Sequence, residues 1–255
     1  MQLTCDVTVA AYLHSPAQRA RVISEYWFAQ NSYCFACEAD HLQPATTNTK
    51  AMDFSCSYCG QRYELKTFTK RPLKSLVDGA YAALIGRIQS SSAPTLCLLE
   101  RDDYWQIRSL TAIHSSFLTN WVIEKRKPLA ESARRAGWVG CNIRLDRIPP
   151  DGEIGVIENG ICQPKVEVRE RFRRFLPLEN LPADQRGWTT LTLSVIRSLG
   201  TSTFSLRDLY ALEDRFAGFY PNNRHVHAKI RQQLQVLRDL GVISFSGNGT
   251  YQTLT

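Results

Sequence analysis

The spacing of apolar positions predicts that the chain opens, after a short lead, with an amphipathic helix. In residues 15–30 (SPAQRARVISEYWFAQ), Ala20, Ile23 and Trp27 recur at helical intervals behind a Ser-Pro start suited to a helix N-terminus. A stretch bounded by Cys34 and Cys59 follows, and its polar, proline-containing segment 41–49 predicts a loop. Alternation then takes over. Residues 50–55 and 61–68 predict two short strands, the second setting Tyr63, Leu65 and Thr67 against Arg62, Glu64 and Lys66. Residues 76–89 (LVDGAYAALIGRIQ) predict a helix despite two glycines, 95–100 (TLCLLE) a buried strand, 155–158 another strand before an Asn159-Gly160 turn, and 167–174 a charged helix.

Beyond the proline-spaced stretch 177–182, which predicts a linker, the pattern changes in kind. Helices are predicted over 188–199, 205–216 and 223–240, the second with Ser205 and Asp208 at capping-box spacing. Strands at 242–246 and 250–254 then flank Gly247-Asn248-Gly249 as a hairpin. Three helices and a hairpin are the plan of a winged helix, whose third helix enters the major groove of DNA. On it Val226, Ile230, Leu234 and Leu237 should face the core and turn Arg224, His227, Arg231 and Gln232 outward as DNA-reading candidates. The expected domains are 1–183 and 184–255.

Composition narrows the classes. With 255 residues, 44% hydrophobic and 22% charged, the chain has the balance of a globular protein. A net charge of +7 favours polyanionic partners without naming one. There is no apolar run of membrane-span length, and Met1 to Glu25 lacks the apolar core of a signal peptide, so the expectation is a cytoplasmic protein without a membrane partner. Nothing in the sequence calls for an obligatory protein partner.

Eight cysteines in that compartment argue for metal rather than disulfides. Cys34-x-x-Cys37 and Cys56-x-x-Cys59 form two clips, each offering a pair of thiolates across one tight turn, and together they fill a structural zinc site. Cys5, Cys97, Cys141 and Cys162 lack such spacing and are expected as packed small hydrophobes.

A second constellation is Asp53 followed by Glu64-Leu65-Lys66. Glu64 and Lys66 share one strand face, where Asp53 from an adjoining strand can meet them. Two carboxylates and the Leu65 carbonyl suit a hard cation such as Mg²⁺, with Lys66 beside the attacking water. This is the pattern of a PD-(D/E)xK nuclease centre, with Asp53, Glu64 and Lys66 catalytic. Glu25 on the leading helix is a candidate auxiliary acid, a surface role being the alternative. A third constellation lies in residues 125–147, seven Lys or Arg against Glu131 and Asp146. There Arg134, Arg135 and Trp138 in ARRAGWVG suit a loop that approaches a DNA groove, the alternative being a packed Trp beside solvated arginines.

The run 127–143 (KPLAESARRAGWVGCNI), residues 52–66, Asp78-Gly79-Ala80-Tyr81, Arg186-Gly187-Trp188-Thr189 and 229–239 (KIRQQLQVLRD) together resemble the DpnI family of methyl-directed restriction endonucleases. The resemblance spans nearly the whole chain. It implies an α/β PD-(D/E)xK core, a mixed sheet flanked by helices with an inserted zinc knuckle, joined to a small α+β winged helix. It further implies cleavage of both strands of double-stranded DNA at GATC carrying N6-methyladenine, with Mg²⁺ as catalytic and Zn²⁺ as structural metal and with Trp138 against the methylated bases. Residues 38–50, the wing and the start of the third helix depart from the family pattern. Two alternatives remain at this level, a non-catalytic zinc and winged-helix transcription regulator and a structure-specific DNA repair nuclease.

Overall fold

The computed structural model describes residues 1–45, 52–72 and 74–254. Along the chain run α1 (Pro16–Asn31), β1 (Gln43–Pro44), β2 (Phe54–Ser55), β3 (Arg62–Phe68), β4 (Leu76–Ala80), α2 (Tyr81–Gln89), β5 (Thr95–Arg101), β6 (Ile107–Ile113), β7 (Ile123–Lys125), β8 (Gly140–Ile143), β9 (Glu153–Glu158) and β10 (Ile161–Cys162). Then follow α3 (Lys165–Arg173), α4 (Leu176–Glu179), α5 (Ala183–Ser198), β11 (Thr203–Ser205), α6 (Leu206–Tyr210), α7 (Glu213–Ala217), α8 (Val226–Asp239), β12 (Ile243–Gly247) and β13 (Thr250–Thr253).

The mixed α/β plan holds. The large sheet runs β1-β2-β3-β5-β6-β9-β10, with β3 and β5 parallel and its other pairs antiparallel. A parallel pair needs a crossover, and β4 with α2 supplies it. Strand β5 is buried on both faces: Leu96 and Leu98 enter one core with α2, while Cys97 and Leu99 enter the other with α1 and α3. A second sheet, β4-β8-β7, stands beside the large one, and a third, β11-β13-β12, belongs to the C-terminal part.

Several expectations change. Residues 76–80 are strand rather than helix, because Val77, Asp78 and Gly79 are poor helix formers and pairing with β8 satisfies their backbone; the helix starts at Tyr81. Within the expected loop 41–49, Gln43 and Pro44 pair with β2, and the strand expected over 50–55 reduces to Phe54–Ser55. The parts of those two readings that fall on residues 46–51 lie outside the described residues. The helix expected over 205–216 keeps its Ser205/Asp208 capping box but divides at Leu212 (φ −108°, ψ 20°), and Phe216 then reaches the core 5.9 Å from the Trp188 ring. The stretch expected as a linker begins with α4, whose Leu178 is buried. Cys5, Cys97 and Cys141 are buried as expected; Cys162 is exposed, because its two-residue edge strand packs neither face.

The C-terminal helix-turn-helix part packs Ile230, Leu234 and Leu237 of α8 against α5, and its β12–β13 hairpin turns on Gly247, Asn248 and Gly249, all at positive φ. Its core continues into the large domain. Trp121 Nε1 donates to Thr190 Oγ1 (3.1 Å), Arg197 pairs with Asp151 (2.5 Å), and buried Arg186 donates to the carbonyl of Ile88 (2.6 Å).

Candidate metal centres and nucleic-acid interface

The four clip cysteines converge. Cys34 Sγ lies 3.5 Å from Cys59 Sγ and Cys37 Sγ 3.6 Å from Cys56 Sγ, and all four sulfurs fall within 4.8 Å of one another. Thiolates arranged tetrahedrally at about 2.3 Å from one zinc stand about 3.8 Å apart, so the set fits that ion. Helix α3 clamps the first clip. Arg169, itself buried, donates to the carbonyls of Cys34 (3.2 Å) and Ala39 (3.2 Å), and Arg173 donates to that of Ala36 (2.8 Å). Glu38 bridges both guanidiniums. The sequence carried no signal for this clamp beyond the charge of the helix.

One strand further, Asp53 meets the edge of β3. Its N–H donates to the Tyr63 carbonyl (2.9 Å), and its Oδ2 accepts from the Leu65 N–H (2.8 Å). Because N–H and C=O of one strand residue point the same way, the Leu65 carbonyl lies on that same edge. Glu64 and Lys66 share the sheet face carrying Leu96 and Leu98. Lys66 Nζ sits 2.6 Å from Glu64 Oε1 and 2.8 Å from Asp78 Oδ1. Burial raises the Glu64 carboxyl above its ordinary value, with Lys66 opposing and Asp78 reinforcing the shift. Burial alone would lower Lys66, but the carboxylates of Glu64 and Asp78 outweigh it and hold the ammonium above the usual lysine value. Glu25 is half-buried on α1; burial raises it, Arg21 counters this and the Asp53 charge adds to it. The donor chemistry of Asp53, Glu64 and the Leu65 carbonyl fits a hard divalent cation.

The basic segment forms the connection between β7 and β8. Arg134 and Arg135 are exposed, and Trp138 is half-buried with the Arg135 guanidinium 4.6 Å from its ring centroid. The indole lies over Gly140, where an added Cβ would come within 2.8 Å of the ring. Leu129 N–H donates to the Trp138 carbonyl (2.9 Å) and Gly137 N–H to that of Leu129 (3.0 Å), which closes the loop on itself. Its return strand β8 pairs with β4, so this loop and Asp78 hang on one small sheet. On α8, Arg224, His227, Arg231 and Gln232 are exposed. His227 stacks on Tyr210 (3.9 Å) and contacts Glu213 (2.9 Å), Arg231 donates to the Tyr210 hydroxyl (2.7 Å), and Gln232 accepts from Lys229 (2.9 Å).

A mixed sheet with a four-cysteine knuckle and a C-terminal helix-turn-helix unit defines a zinc-site, DNA-binding protein of the PD-(D/E)xK fold class. Residues 1–181 match the model of the DpnI family, described as the Dam-replacing family, and residues 184–253 match that of its C-terminal domain, described as the Dam-replacing HTH domain. The chain belongs to the DpnI family. That family is one of methyl-dependent restriction enzymes in general terms, and its helix-turn-helix domain makes DNA the partner. Among the described residues, no helix is long and apolar enough to cross a membrane.

Proposed function

We propose that the protein is a cytoplasmic type II restriction endonuclease that hydrolyses both strands of double-stranded DNA at GATC sites carrying N6-methyladenine. The observation that carries this reading is the meeting of Asp53, Glu64 and Lys66 at the edge of β3, beside a basic loop. Asp53, Glu64 and the Leu65 carbonyl would hold Mg²⁺. Bound there, the cation would neutralise phosphodiester charge and lower the pKa of a water ligand. Lys66, held charged by its carboxylate neighbours, stabilises charge developing on the phosphoryl oxygens.

Recognition is shared between the two expected domains, 1–183 and 184–255. Arg134 and Arg135 suit phosphates or guanine edges, and Trp138 offers an apolar surface to methyl groups. An N6-methyl group projects into the major groove, and burying it contributes about 0.8 kcal/mol per carbon. Arg224, His227, Arg231 and Gln232 lie on the helix that such domains insert into the major groove.

Asp53→Ala and Lys66→Ala should each abolish cleavage of an adenine-methylated plasmid while gel-shift affinity and melting temperature stay near the parent values. Wild-type turnover by Asp53→Ala would remove the assigned centre.

A further inference from the structure

We propose that Asp78 is a positioning residue for Lys66, and that it ties the placement of this lysine to the small sheet carrying the Trp138 loop. The proposal rests on the reading of Asp53, Glu64 and Lys66 as the reactive centre. In sequence Asp78 lies outside the D…ExK pattern, twelve residues past Lys66, yet its carboxylate is almost fully buried and accepts from Lys66 Nζ at 2.8 Å. A buried carboxylate is retained where its charge is matched. Here the match is a lysine, which Asp78 shares with Glu64.

The local backbone explains how Asp78 is aimed. Strand β4 pairs Asp78 with Cys141 and Ala80 with Gly140, and the register shifts between them, leaving Gly79 as the extra residue of a bulge. Bulges redirect side chains at the rim of a site. Immediately past the bulge, Tyr81 N–H donates to the Val139 carbonyl (3.1 Å), and the Trp138 indole rests on Gly140. Three residues of β4 therefore separate the support of the indole from the carboxylate that holds Lys66.

Glu64 and Asp78 do different work. Glu64 is a metal-ligand candidate, so its charge is directed away from Lys66 whenever a cation is bound. Asp78 touches the ammonium from a separate sheet and keeps it oriented. A lysine held by one partner only loses this orientation, which acts on turnover more than on binding.

The test compares wild-type, Asp78→Asn and Asp78→Glu proteins. Steady-state cleavage of a methylated GATC duplex should give Asp78→Asn a kcat about 10- to 100-fold lower, the usual effect of removing a partner that orients a reacting group, with KM within about threefold. Asp78→Glu, which retains the charge, should recover part of the loss. A second readout needs no metal: in the metal-free protein, acylation of Lys66 by an activated ester, followed by mass spectrometry, should be several-fold faster in Asp78→Asn. If Asp78→Asn lowers stability, this labelling is performed well below its melting temperature, so the comparison stands. Unchanged kcat and unchanged Lys66 labelling, with Asp53→Ala inactive, would overturn this inference alone; an active Asp53→Ala enzyme would instead overturn the reading of the centre.

Discussion

At the scale of single residues, Trp138 separates two readings that its sequence context left open. A core tryptophan would be sealed, whereas this one is half-buried, capped by Arg135 and laid over a glycine. Trp138→Ala should therefore move the melting temperature by only about 2–4 °C, the equivalent of about 1 kcal/mol for a chain of this size, while cutting of methylated sites slows markedly. Gly140→Ala is the sharper probe, because its methyl group would meet the indole at 2.8 Å and the ring must shift. We expect cleavage of methylated duplex to slow by on the order of tenfold, about 1.4 kcal/mol of barrier, with the tryptophan still present. A Gly140→Ala enzyme with the parent rate would mean that indole placement does not matter. Residue types were legible here because arginine, glycine and tryptophan each carry a chemistry. Asp78 stood in the family-like run without a role, because only the fold brings it to Lys66.

At the scale of elements, the zinc knuckle and the metal-binding edge of β3 are mechanically one unit. Cys56 and Asp53 flank the two-residue β2, Tyr63 donates and accepts between the knuckle and β3, and α3 holds the first clip through Arg169 and Arg173. Loss of one thiolate should therefore loosen the strand that delivers Asp53. Cys56→Ser is expected to lower the melting temperature by about 5 °C or more and to reduce cleavage with excess Mg²⁺ present. Chelation of zinc should do the same, and zinc but not further Mg²⁺ should restore activity. A fully stable, fully active protein without zinc by metal analysis would contradict this coupling. The clips were readable because thiolate spacing is a local property. Strand β4 was misread as helix because its pairing with β8 lies more than sixty residues away, and the alternation of β6 passed unnoticed because both faces of that region are buried.

At the scale of the molecule, the division near residue 183 was legible as a change of pattern, but the way the two parts pack was not. Helix α5 is buried along most of its length, meeting α8 on one side and Trp121, Arg147 and Asp151 of the preceding part on another. A fragment from residue 184 to 255 should fold and bind duplex DNA with a steep salt dependence and no cutting. It should melt below the intact chain, because its Trp121-facing surface becomes exposed. Absence of binding at low salt would count against a DNA-reading role for α8. The central claim is that one polypeptide joins a metal-assisted phosphodiesterase centre to recognition of methylated adenine. Its most direct test is digestion by the purified protein, with Mg²⁺, of a single plasmid prepared with and without adenine methylation. The account predicts a discrete GATC fragment pattern from the methylated plasmid and intact unmethylated plasmid; equal cutting of both, or of neither, would contradict it.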